Sequence, residues 1–404
     1  MTVQDLIRIY TEVYYLEDTS VIPIVVATVL SSKMKGDPVW LMIVGGSSSG
    51  KSEIVNAIGG VPWLTEISML TTNTLLSGMK TAKGKAETSL LLRMPPEHIL
   101  TMKDFTTILS MRSEEQQDLM AQFRELYDGK MTKQLGTGEV KSWKGKSTLI
   151  AGVTEKLYAM EAKFSGMGTR AVNFVMPEQD RVKTCVRSAA IAEDINESRE
   201  RIKAAFTQFF AEHIPLVKDM KLEVPADVSS RIIKASNFSS LARSPVERDM
   251  QGRMCLVLSP EMPMRMSNIL HNVCKPLMAL EGGVLNKSYE AILYKIAMDS
   301  IPKGRRIVLK KLAQYATVYT KQLAIDLKYE TQPIRKWLEE LNVLGICDRE
   351  KGGGSKGDKW VLKQEFRDLM AEFDAVKYEG GDLVSEDTEE DMMNDYMKGE
   401  ANSF

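Results

Sequence analysis

The residues best suited to chemistry form one short run that follows an apolar stretch, in "VWLMIVGGSSSGKS". The run fits the spacing G-x-x-x-x-G-K-[ST], whose small residues let a loop wrap a phosphate with backbone N–H groups. Lys51 is expected to contact the β- and γ-phosphates of ATP, and the Ser52 hydroxyl to bind Mg²⁺. The helix expected after the loop adds its positive N-terminal end. The predicted nucleotide-binding residues are Gly45, Gly46, Ser47, Ser48, Ser49, Gly50, Lys51 and Ser52.

A second ligand for the metal is expected at the end of another strand. The segment "HILTMKDF" supplies Asp104 after an apolar run. Position 105 is Phe, so no carboxylate adjacent to Asp104 is present to orient the attacking water. Glu66 and Glu125 are candidate substitutes for this general base, and a structural role is the alternative for both. The sequence is therefore also compatible with a weak or switch-like ATPase.

Two further polar residues lie where the terminal phosphate could be detected. Thr154 follows the apolar run "LIAGV" and is predicted to sense the γ-phosphate. Arg170 precedes the next apolar run, where it would project from the edge of its domain into a neighbouring subunit. There it would stabilise transition-state charge in trans, as arginine fingers do. An ordinary surface salt bridge is the alternative for Arg170.

The phosphate loop, Asp104, Thr154 and Arg170 together resemble the AAA+ ATPases. The resemblance narrows in "YDGKMTKQLGTGEVKSWKGKSTLIAG", which reads as two short strands around a Gly-Thr-Gly turn. This segment is similar to the hairpin that superfamily III helicases and minichromosome-maintenance-type ATPases place before the fourth strand. In those proteins the hairpin points into the central channel of a ring. The resemblance implies an AAA+ core in a ring-forming protein.

The hairpin is rich in lysine and contains an aromatic residue. Basic side chains would neutralise phosphates and an aromatic ring could stack on a base. A solvated Lys-rich hairpin is the alternative. Lys130 and Lys146 belong to the same segment. The hairpin residues predicted to bind DNA are Lys133, Lys141, Trp143 and Lys144.

A lid region is suggested by the stretch "LARSPVERDMQGRMCLVLSPEMPMRMSNIL". It resembles the lid of the same helicase-like ATPases of phages and mobile elements, where Pro-x-Arg opens a helix and its Arg reaches back to the nucleotide. Pro263-Met264-Arg265 matches this pattern, so Arg265 is the predicted second sensor and Arg243 a weaker candidate. The resemblance covers roughly residues 1–300. It departs at position 105, which puts the hydrolysis rate in doubt.

A compact module is predicted at residues 303–366. Three helical patterns lead to the strands "ICDRE" and "DKWVL", which a Gly- and Lys-rich turn joins. This order predicts a winged helix, with Thr331 as N-cap of the third helix and Gly345 as its stop. Arg335 and Lys336 would contact DNA from that helix. Docking of a protein partner is the alternative.

The remaining pattern predicts the order of the domains. Five apolar runs at residues 39–44, 62–67, 98–104, 148–153 and 171–176 suit buried strands, and helical patterns separate several of them. They predict an α/β fold with a five-stranded parallel sheet. The order suits ATPases with an additional strand between the two phosphate-site strands. The predicted parts are a helical segment at 1–38, an AAA+ core at 39–187, a helical lid at 188–302, the winged helix at 303–366 and an acidic disordered tail at 379–404.

The composition excludes several other classes. The net charge is −1, so any signal for nucleic acid or membrane must be local. The four cysteines and three histidines are scattered, which predicts reduced thiols and no His-based metal site. The apolar run at 21–30 is too short to span a bilayer and is predicted to be a buried helix. We expect a cytoplasmic protein without a membrane partner, in the bacterial host's cytoplasm if a phage encodes it.

The sequence thus predicts an ATP- and Mg²⁺-dependent ring, a hexamer in which Arg170 needs a neighbouring subunit, that translocates on or unwinds DNA during phage or mobile-element replication. Replication proteins would be its further partners. One alternative is an ATP-dependent switch that loads a protein partner onto DNA. Another is a nucleotide-gated scaffold that uses the winged helix to dock a protein.

Overall fold

The computed structural model describes residues 1–78, 87–135, 138–158, 170–249, 251, 254–257, 259–352 and 357–379. Met1–Glu155 and Val175–Lys221 belong to one compact unit, here unit 1. Lys156–Phe174 and Leu222–Tyr378 belong to a second, here unit 2. The predicted boundary between lid and winged helix thus falls inside unit 2. The predicted acidic tail lies outside the described residues after its first, Glu379.

The strands of the first half of the chain alternate with helices. The strands are β1 (Trp40–Val44), β2 (Leu64–Glu66), β3 (Glu97–Met102), β4 (Lys130–Gln134), β5 (Val140–Lys144), β6 (Lys146–Val153) and β7 (Ala171–Val175). The helices are α1 (Val3–Thr11), α2 (Val21–Ser31), α3 (Lys51–Ala57), α4 (Leu90–Arg93), α5 (Thr106–Leu109), α6 (Ser113–Tyr127), α7 (Arg181–Ala190) and α8 (Ile195–Lys218). As predicted, α2 is a buried helix along its whole length. Within the described part of the chain, no helix is both long and apolar enough to cross a membrane.

Five of these strands form one parallel sheet, in the order β2-β3-β6-β1-β7. The five predicted strands and their common sheet are therefore confirmed. The inner strands β1 and β6 are buried along almost their whole length because both faces of a parallel sheet are covered, whereas the edge strand β2 is partly exposed. The strand between β1 and β3 is β6, whereas β2 lies at the edge of the sheet. The fold is α/β and compatible with a P-loop fold.

The register of the sheet brings three strand ends together. Val44 pairs with Val153, and Met102 pairs with Ala151. The carboxyl ends of β1, β3 and β6 therefore meet at one edge of the sheet. The strands β4 and β5 form a separate antiparallel hairpin just before β6.

Unit 2 consists largely of helices. They are α9 (Ala226–Ala242), α10 (Met264–Leu280), α11 (Lys287–Asp299), α12 (Lys303–Leu312), α13 (Thr320–Leu327), α14 (Thr331–Val343) and α15 (Gln364–Ala375). Its strands are β8 (Val246–Arg248), β9 (Met254–Val257), β10 (Val318–Tyr319), β11 (Cys347–Glu350) and β12 (Lys359–Leu362). β8 pairs with β9, and β10, β12 and β11 form a second small sheet in that order.

The predicted order of three helices and two strands after residue 302 is present as α12, α13, α14, β11 and β12. One detail was wrong: the N-cap of α14 is Glu330, and Thr331 is already the first helical residue. Gly345 follows the end of α14 with φ 76°, a left-handed conformation that suits glycine and ends the helix as predicted. The wing residue Lys356 lies outside the described residues.

Candidate nucleotide-binding site and its accessory elements

The loop between β1 and α3 is fixed at its start and open to solvent beyond it. The N–H of Gly45 donates to the carbonyl of Val153 at 3.1 Å, which ties the loop to β6. Gly46, Ser47 and Ser48 are exposed. A Cβ on Gly45 would lie 2.7 Å from Ser49 Oγ, so a larger residue there would displace the Ser49 hydroxyl.

Two loop residues adopt left-handed backbone conformations. Ser48 has φ 62° and Gly50 has φ 84°, the latter as N-cap of α3. A left-handed conformation costs a non-glycine residue free energy, so a Ser that holds it marks a constrained turn. The loop is thus a bent segment with fixed ends whose exposed backbone amides are available to an anion.

The side chain of Lys51 folds back under the loop. It is 8% exposed, and its ammonium donates to the carbonyl of Gly45 at 2.9 Å, to the carbonyl of Gly46, and to Ser49 Oγ at 3.2 Å. Burial lowers the pKa of Lys51, and the carboxylate of Asp104 acts in the opposite direction. The chain therefore holds a buried cation inside the loop predicted to bind phosphate.

The two predicted magnesium ligands are both exposed. Ser52 is the residue after Lys51, and Asp104 follows β3 at the same edge of the sheet. Asp104 Oδ1 accepts from the N–H of Thr106 at 2.9 Å, which orients the carboxylate. Within the described residues, no three His, Cys, Asp or Glu side chains are grouped for a metal. One hydroxyl and one carboxylate fit Mg²⁺, which takes its other ligands from water and phosphate.

Thr154 contacts the segment that carries Asp104. Its N–H donates to Thr106 Oγ1 at 3.2 Å, and the two hydroxyl oxygens lie 3.2 Å apart. The N–H of Phe105 also donates to the carbonyl of Gly152 at 2.7 Å. The end of β6 is thus joined to the residues after β3. Sequence reasoning missed Thr106, whose only signal was a hydroxyl two residues after Asp104.

The candidates for the general base differ in position. Phe105 is 4% exposed, so the side chain next to Asp104 belongs to the core. Glu66 ends β2 and its Oε1 lies 2.8 Å from Lys103 Nζ, where it is already neutralised. Glu125 is exposed on α6. Its neighbour Tyr127 packs at 5.4 Å on Trp40, the first residue of β1 and the opposite end of that strand from the loop. Two residues before Glu125, however, Phe123 packs at 6.0 Å on Phe105, next to Asp104, so a role for Glu125 stays a prediction.

Glu53 is a residue of the site region that sequence reasoning missed. Its carboxylate accepts from Arg199 Nη2 at 2.6 Å, from Arg199 Nε at 3.0 Å and from the Tyr14 hydroxyl at 3.0 Å. Burial alone would raise the pKa of Glu53, but these hydrogen bonds outweigh it and lower the pKa. Burial and Glu53 raise the pKa of Tyr14 to about 12. The network joins α3 to α8 and to the segment that follows α1. No local sequence pattern predicts partners so distant in sequence.

The hairpin places the predicted DNA-binding residues on two different faces. Trp143 is 5% exposed and packs against Met131 and, at 5.6 Å between ring centroids, against His98. Our prediction that Trp143 stacks on a base does not fit this geometry, because its faces are covered by protein. Lys144 is exposed, whereas Lys133 and Lys141 are half-buried. Gly136 and Thr137 of the predicted turn lie outside the described residues.

The two lid arginines also differ. The helix α10 begins at Met264 after Pro263, as predicted. The Arg265 side chain is 43% exposed, with Nη1 3.9 Å from Glu261. The Arg243 side chain is 4% exposed and its Nη2 lies 2.9 Å from the same carboxylate. Arg243 is thus built into unit 2, and Arg265 remains the predicted second sensor.

Arg335 and Lys336 are exposed on the first half of α14. Arg335 pairs with Glu339 at 3.2 Å and with Asp358 at 3.4 Å, so its charge is partly compensated. Arg248 contacts the middle of α14, where it donates to the carbonyl of Lys336 at 3.0 Å and to Glu340 at 3.2 Å. The side chains of Arg335 and Lys336 stay accessible to a partner beside this contact.

Arg170 is half-buried and directly precedes β7. It stands at the amino end of its strand, whereas the phosphate loop follows the carboxyl end of β1. This position does not indicate a role at the loop of its own chain, and action in trans stays a prediction.

No protein-family model matches the chain, and no curated protein matches it.

Proposed function

We propose that the chain is a Mg²⁺-dependent ATPase of the AAA+ type. The observation that carries the proposal is the meeting of three strand ends at one edge of the sheet. That edge carries a loop with a buried lysine, an exposed hydroxyl, an exposed carboxylate and a threonine. These groups suit three tasks in the hydrolysis of a nucleoside triphosphate: binding of the phosphates, binding of Mg²⁺, and contact with the γ-phosphate or the attacking water.

Each residue of the site has its own proposed role in ATP binding or hydrolysis. The loop amides and Lys51 would bind the β- and γ-phosphates, and Lys51 would exchange its carbonyl partners for phosphate oxygens. Ser52 and Asp104 would hold Mg²⁺, which neutralises charge that develops on the phosphates. Thr154 and Thr106 would contact the γ-phosphate or the attacking water. Arg170 would come from a neighbouring subunit and Arg265 from the lid.

The energy of ATP hydrolysis would be used to move the protein along DNA or to unwind it. The support for this step is the lysine-rich hairpin immediately before β6, the strand that ends in Thr154. A change at the γ-phosphate can reach the hairpin along one continuous strand. A ring, which we take to be a hexamer, would translocate on or unwind DNA in replication of a phage or mobile element, together with replication proteins. Arg335 and Lys336, exposed on α14 of the proposed winged helix, would form a second DNA contact.

A second candidate is an ATP-dependent switch that loads a protein partner onto DNA. The buried Phe105 and the pairing of Glu66 with Lys103 favour it, because neither position offers a free carboxylate to activate water. Such a protein would bind ATP tightly and hydrolyse it slowly.

Steady-state ATP hydrolysis with and without single-stranded DNA tests the proposal. We expect stimulation by DNA that disappears in Lys51→Ala and persists in Lys35→Ala, an exposed control. A slow rate of ATP hydrolysis that DNA does not change, together with tight ATP binding, would favour the ATP-dependent switch. Absence of Mg²⁺-dependent ATP binding in the intact chain would overturn both candidates.

A further inference from the structure

The lysines of the β4–β5 hairpin divide between two faces. Successive side chains of a strand point to opposite sides, and paired residues share a side. Lys130 pairs with Lys144, and both are exposed. Lys133 pairs with Lys141, on the side that carries buried Met131 and Trp143. The hairpin thus has an outer lysine pair and an inner lysine pair.

The outer pair has no acidic partner among the contacts of the described residues. Between it and the tip lie Thr132 and Ser142, also a cross-strand pair, with hydroxyl oxygens 3.2 Å apart. Like charges directly opposite each other destabilise a hairpin. A row of two ammonium groups and two hydroxyls therefore suits an anion that neutralises the lysines and accepts hydrogen bonds.

The inner pair is occupied by the segment between β2 and β3. Lys141 Nζ lies 2.7 Å from Glu87 Oε1 and 3.3 Å from Ser89 Oγ. Lys133 Nζ lies 2.7 Å from Asn73 Oδ1 and 3.2 Å from the carbonyl of Thr72. The Lys141 side chain is only 12% exposed as a result. Both inner ammonium groups thus already have anionic or carbonyl partners.

The two described parts of this segment, residues 67–78 and 87–96, are hydrogen-bonded to each other. The N–H of Ser77 donates to Ser89 Oγ at 3.0 Å, and the N–H of Leu90 donates to the carbonyl of Thr74 at 3.0 Å. A Cβ on Gly78 would lie 3.0 Å from Leu135 of the hairpin, so the segment packs closely there. Glu87 therefore has a defined position beside the hairpin.

Hydrogen bonds from Lys141 and Ser89 lower the pKa of Glu87 to about 2. A group with a depressed pKa is ionised above that value, so Glu87 stays a carboxylate throughout the range in which the protein works. It has the charge of a phosphate oxygen and the same preference for an ammonium donor.

We propose that Glu87 competes with nucleic-acid phosphate for Lys141, so that the resting hairpin binds single-stranded DNA through Lys130 and Lys144 alone. This inference rests on the proposed work on DNA and adds its regulation. Displacement of Glu87 would add Lys141 to the contact with DNA and strengthen the binding of the strand by the hairpin. Sequence reasoning assigned Lys133, Lys141 and Lys144 the same role, and the register separates them.

The test is the salt dependence of binding to a labelled oligo-dT, measured by anisotropy. Each phosphate neutralised on a single strand contributes about −0.7 to the slope of log K against log salt. We expect Lys144→Ala to make the slope shallower by about 0.7 and Lys141→Ala to leave it unchanged. Glu87→Gln should tighten binding and steepen the slope by about 0.7, and Lys141→Ala in that background should abolish the gain. Glu115→Gln, an exposed carboxylate on α6, is the control for a general loss of negative charge.

A second readout needs no DNA. Acetylation of lysines, mapped by mass spectrometry, should be slower at Lys141 than at Lys144 in the natural chain, and Glu87→Gln should remove the difference. If the chain binds DNA but Glu87→Gln does not strengthen this binding, the proposed competition by Glu87 is wrong, whereas the proposed work on DNA still stands. No DNA binding by any variant, with Lys141 still released in Glu87→Gln, would overturn the proposed work on DNA. Thermal unfolding by circular dichroism checks that each variant is folded.

Discussion

The ammonium of Lys51 lies 2.9 Å from the carbonyl oxygen of Gly45, at the far end of the same loop. The ammonium also donates hydrogen bonds to the Gly46 carbonyl and the Ser49 hydroxyl, so the loop itself supplies the acceptors for its lysine. A buried cation without partners would be costly, and this arrangement removes that cost before a ligand binds. Binding of a phosphate then requires only an exchange of acceptors around a nitrogen that is already in place.

The first prediction concerns pH. Burial lowers the pKa of Lys51 below its ordinary 10.5, and Asp104 raises it. Nucleotide affinity without Mg²⁺ should be constant below the lowered pKa and fall as the pH rises through it, because the neutral amine binds phosphate weakly. Asp104→Asn removes the raising effect, so the fall should begin at lower pH. Titration with a fluorescent ATP analogue measures both curves, and a fall centred at or above 10.5 in both would contradict us.

The second prediction contrasts two glycines. A Cβ on Gly152 would lie 2.6 Å from the carbonyl of Lys103, in the middle of the sheet. Gly152→Ala should therefore lower the free energy of unfolding by about 1–3 kcal/mol. A Cβ on Gly46 would meet nothing within 4 Å.

Gly46→Ala should have the same free energy of unfolding as the natural chain. It should nevertheless bind ATP about tenfold or more weakly, because the added methyl group would obstruct a phosphate that approaches the backbone at this residue. Urea unfolding and ATP titration of both variants give the comparison. Unchanged ATP affinity in Gly46→Ala would show that phosphate does not pass close to this residue.

The third prediction separates the lid arginines. Arg243→Ala should destabilise the chain by about 3–5 kcal/mol, because it leaves the carboxylate of Glu261 without a buried partner. The exposed Arg265 has only a long contact with Glu261, so Arg265→Ala should cost less than about 1 kcal/mol. It should nevertheless slow ATP hydrolysis by about 100-fold. Normal hydrolysis by a folded Arg265→Ala chain would remove Arg265 from the site.

The fourth prediction tests action between subunits. Arg170→Ala alone should lose about 1000-fold in hydrolysis, as expected for an arginine finger, and Lys51→Ala should be inactive. A mixture of the two variants should recover part of the activity. The intact loop of an Arg170→Ala subunit then meets the intact arginine of a Lys51→Ala subunit. Additive, unrecovered rates in a mixture shown to form common oligomers would contradict action in trans.

The fifth prediction concerns a buried ionic cluster in unit 2. Glu340 is 6% exposed and accepts from Arg305 Nε at 2.9 Å and from Arg248 Nε at 3.2 Å. Arg305 also donates to the carbonyls of Ala242 at 2.9 Å and Ser244 at 2.6 Å. Glu340→Gln leaves buried Arg305 without its carboxylate partner and Arg248 with Glu339 alone, at 3.5 Å, and should cost about 3–5 kcal/mol.

Glu350→Gln is the matched control for Glu340→Gln. Glu350 is 65% exposed and its pairing with Lys359 spans 3.3 Å in contact with solvent. Its loss should change stability by less than about 1 kcal/mol. Urea midpoints that fall equally in the two variants would refute a special role of the cluster.

Much of the sheet was predictable because strands covered on both faces are almost continuously apolar, as in β1 and β6. The motif likewise fixed Lys51 and Ser52 at the start of a helix, and the apolar run before Asp104 placed it after a strand. These signals are local in sequence, so they can be recognised without knowing which distant segments contact these residues.

The contacts that depend on distant segments were not predictable. Nothing near Glu53 points to Arg199, and nothing near Lys141 points to Glu87. The faces of the hairpin are a different case, because the alternation of Met131 with the lysines was visible. We gave Trp143 a role in stacking because of its chemistry, whereas the period of two already places it with Met131 on the covered side.

The position of β6 between β1 and β3 has a consequence for how the protein is made. A ribosome releases the phosphate loop and then Asp104 well before it releases β6. Until that strand arrives, the two earlier strands have nothing to keep them two strand spacings apart, about 10 Å. A nascent chain that ends before residue 146 thus carries the loop and the carboxylate but lacks the strand that sets the distance between them. The proposed nucleotide binding would therefore report when β6 joins the sheet of the emerging chain.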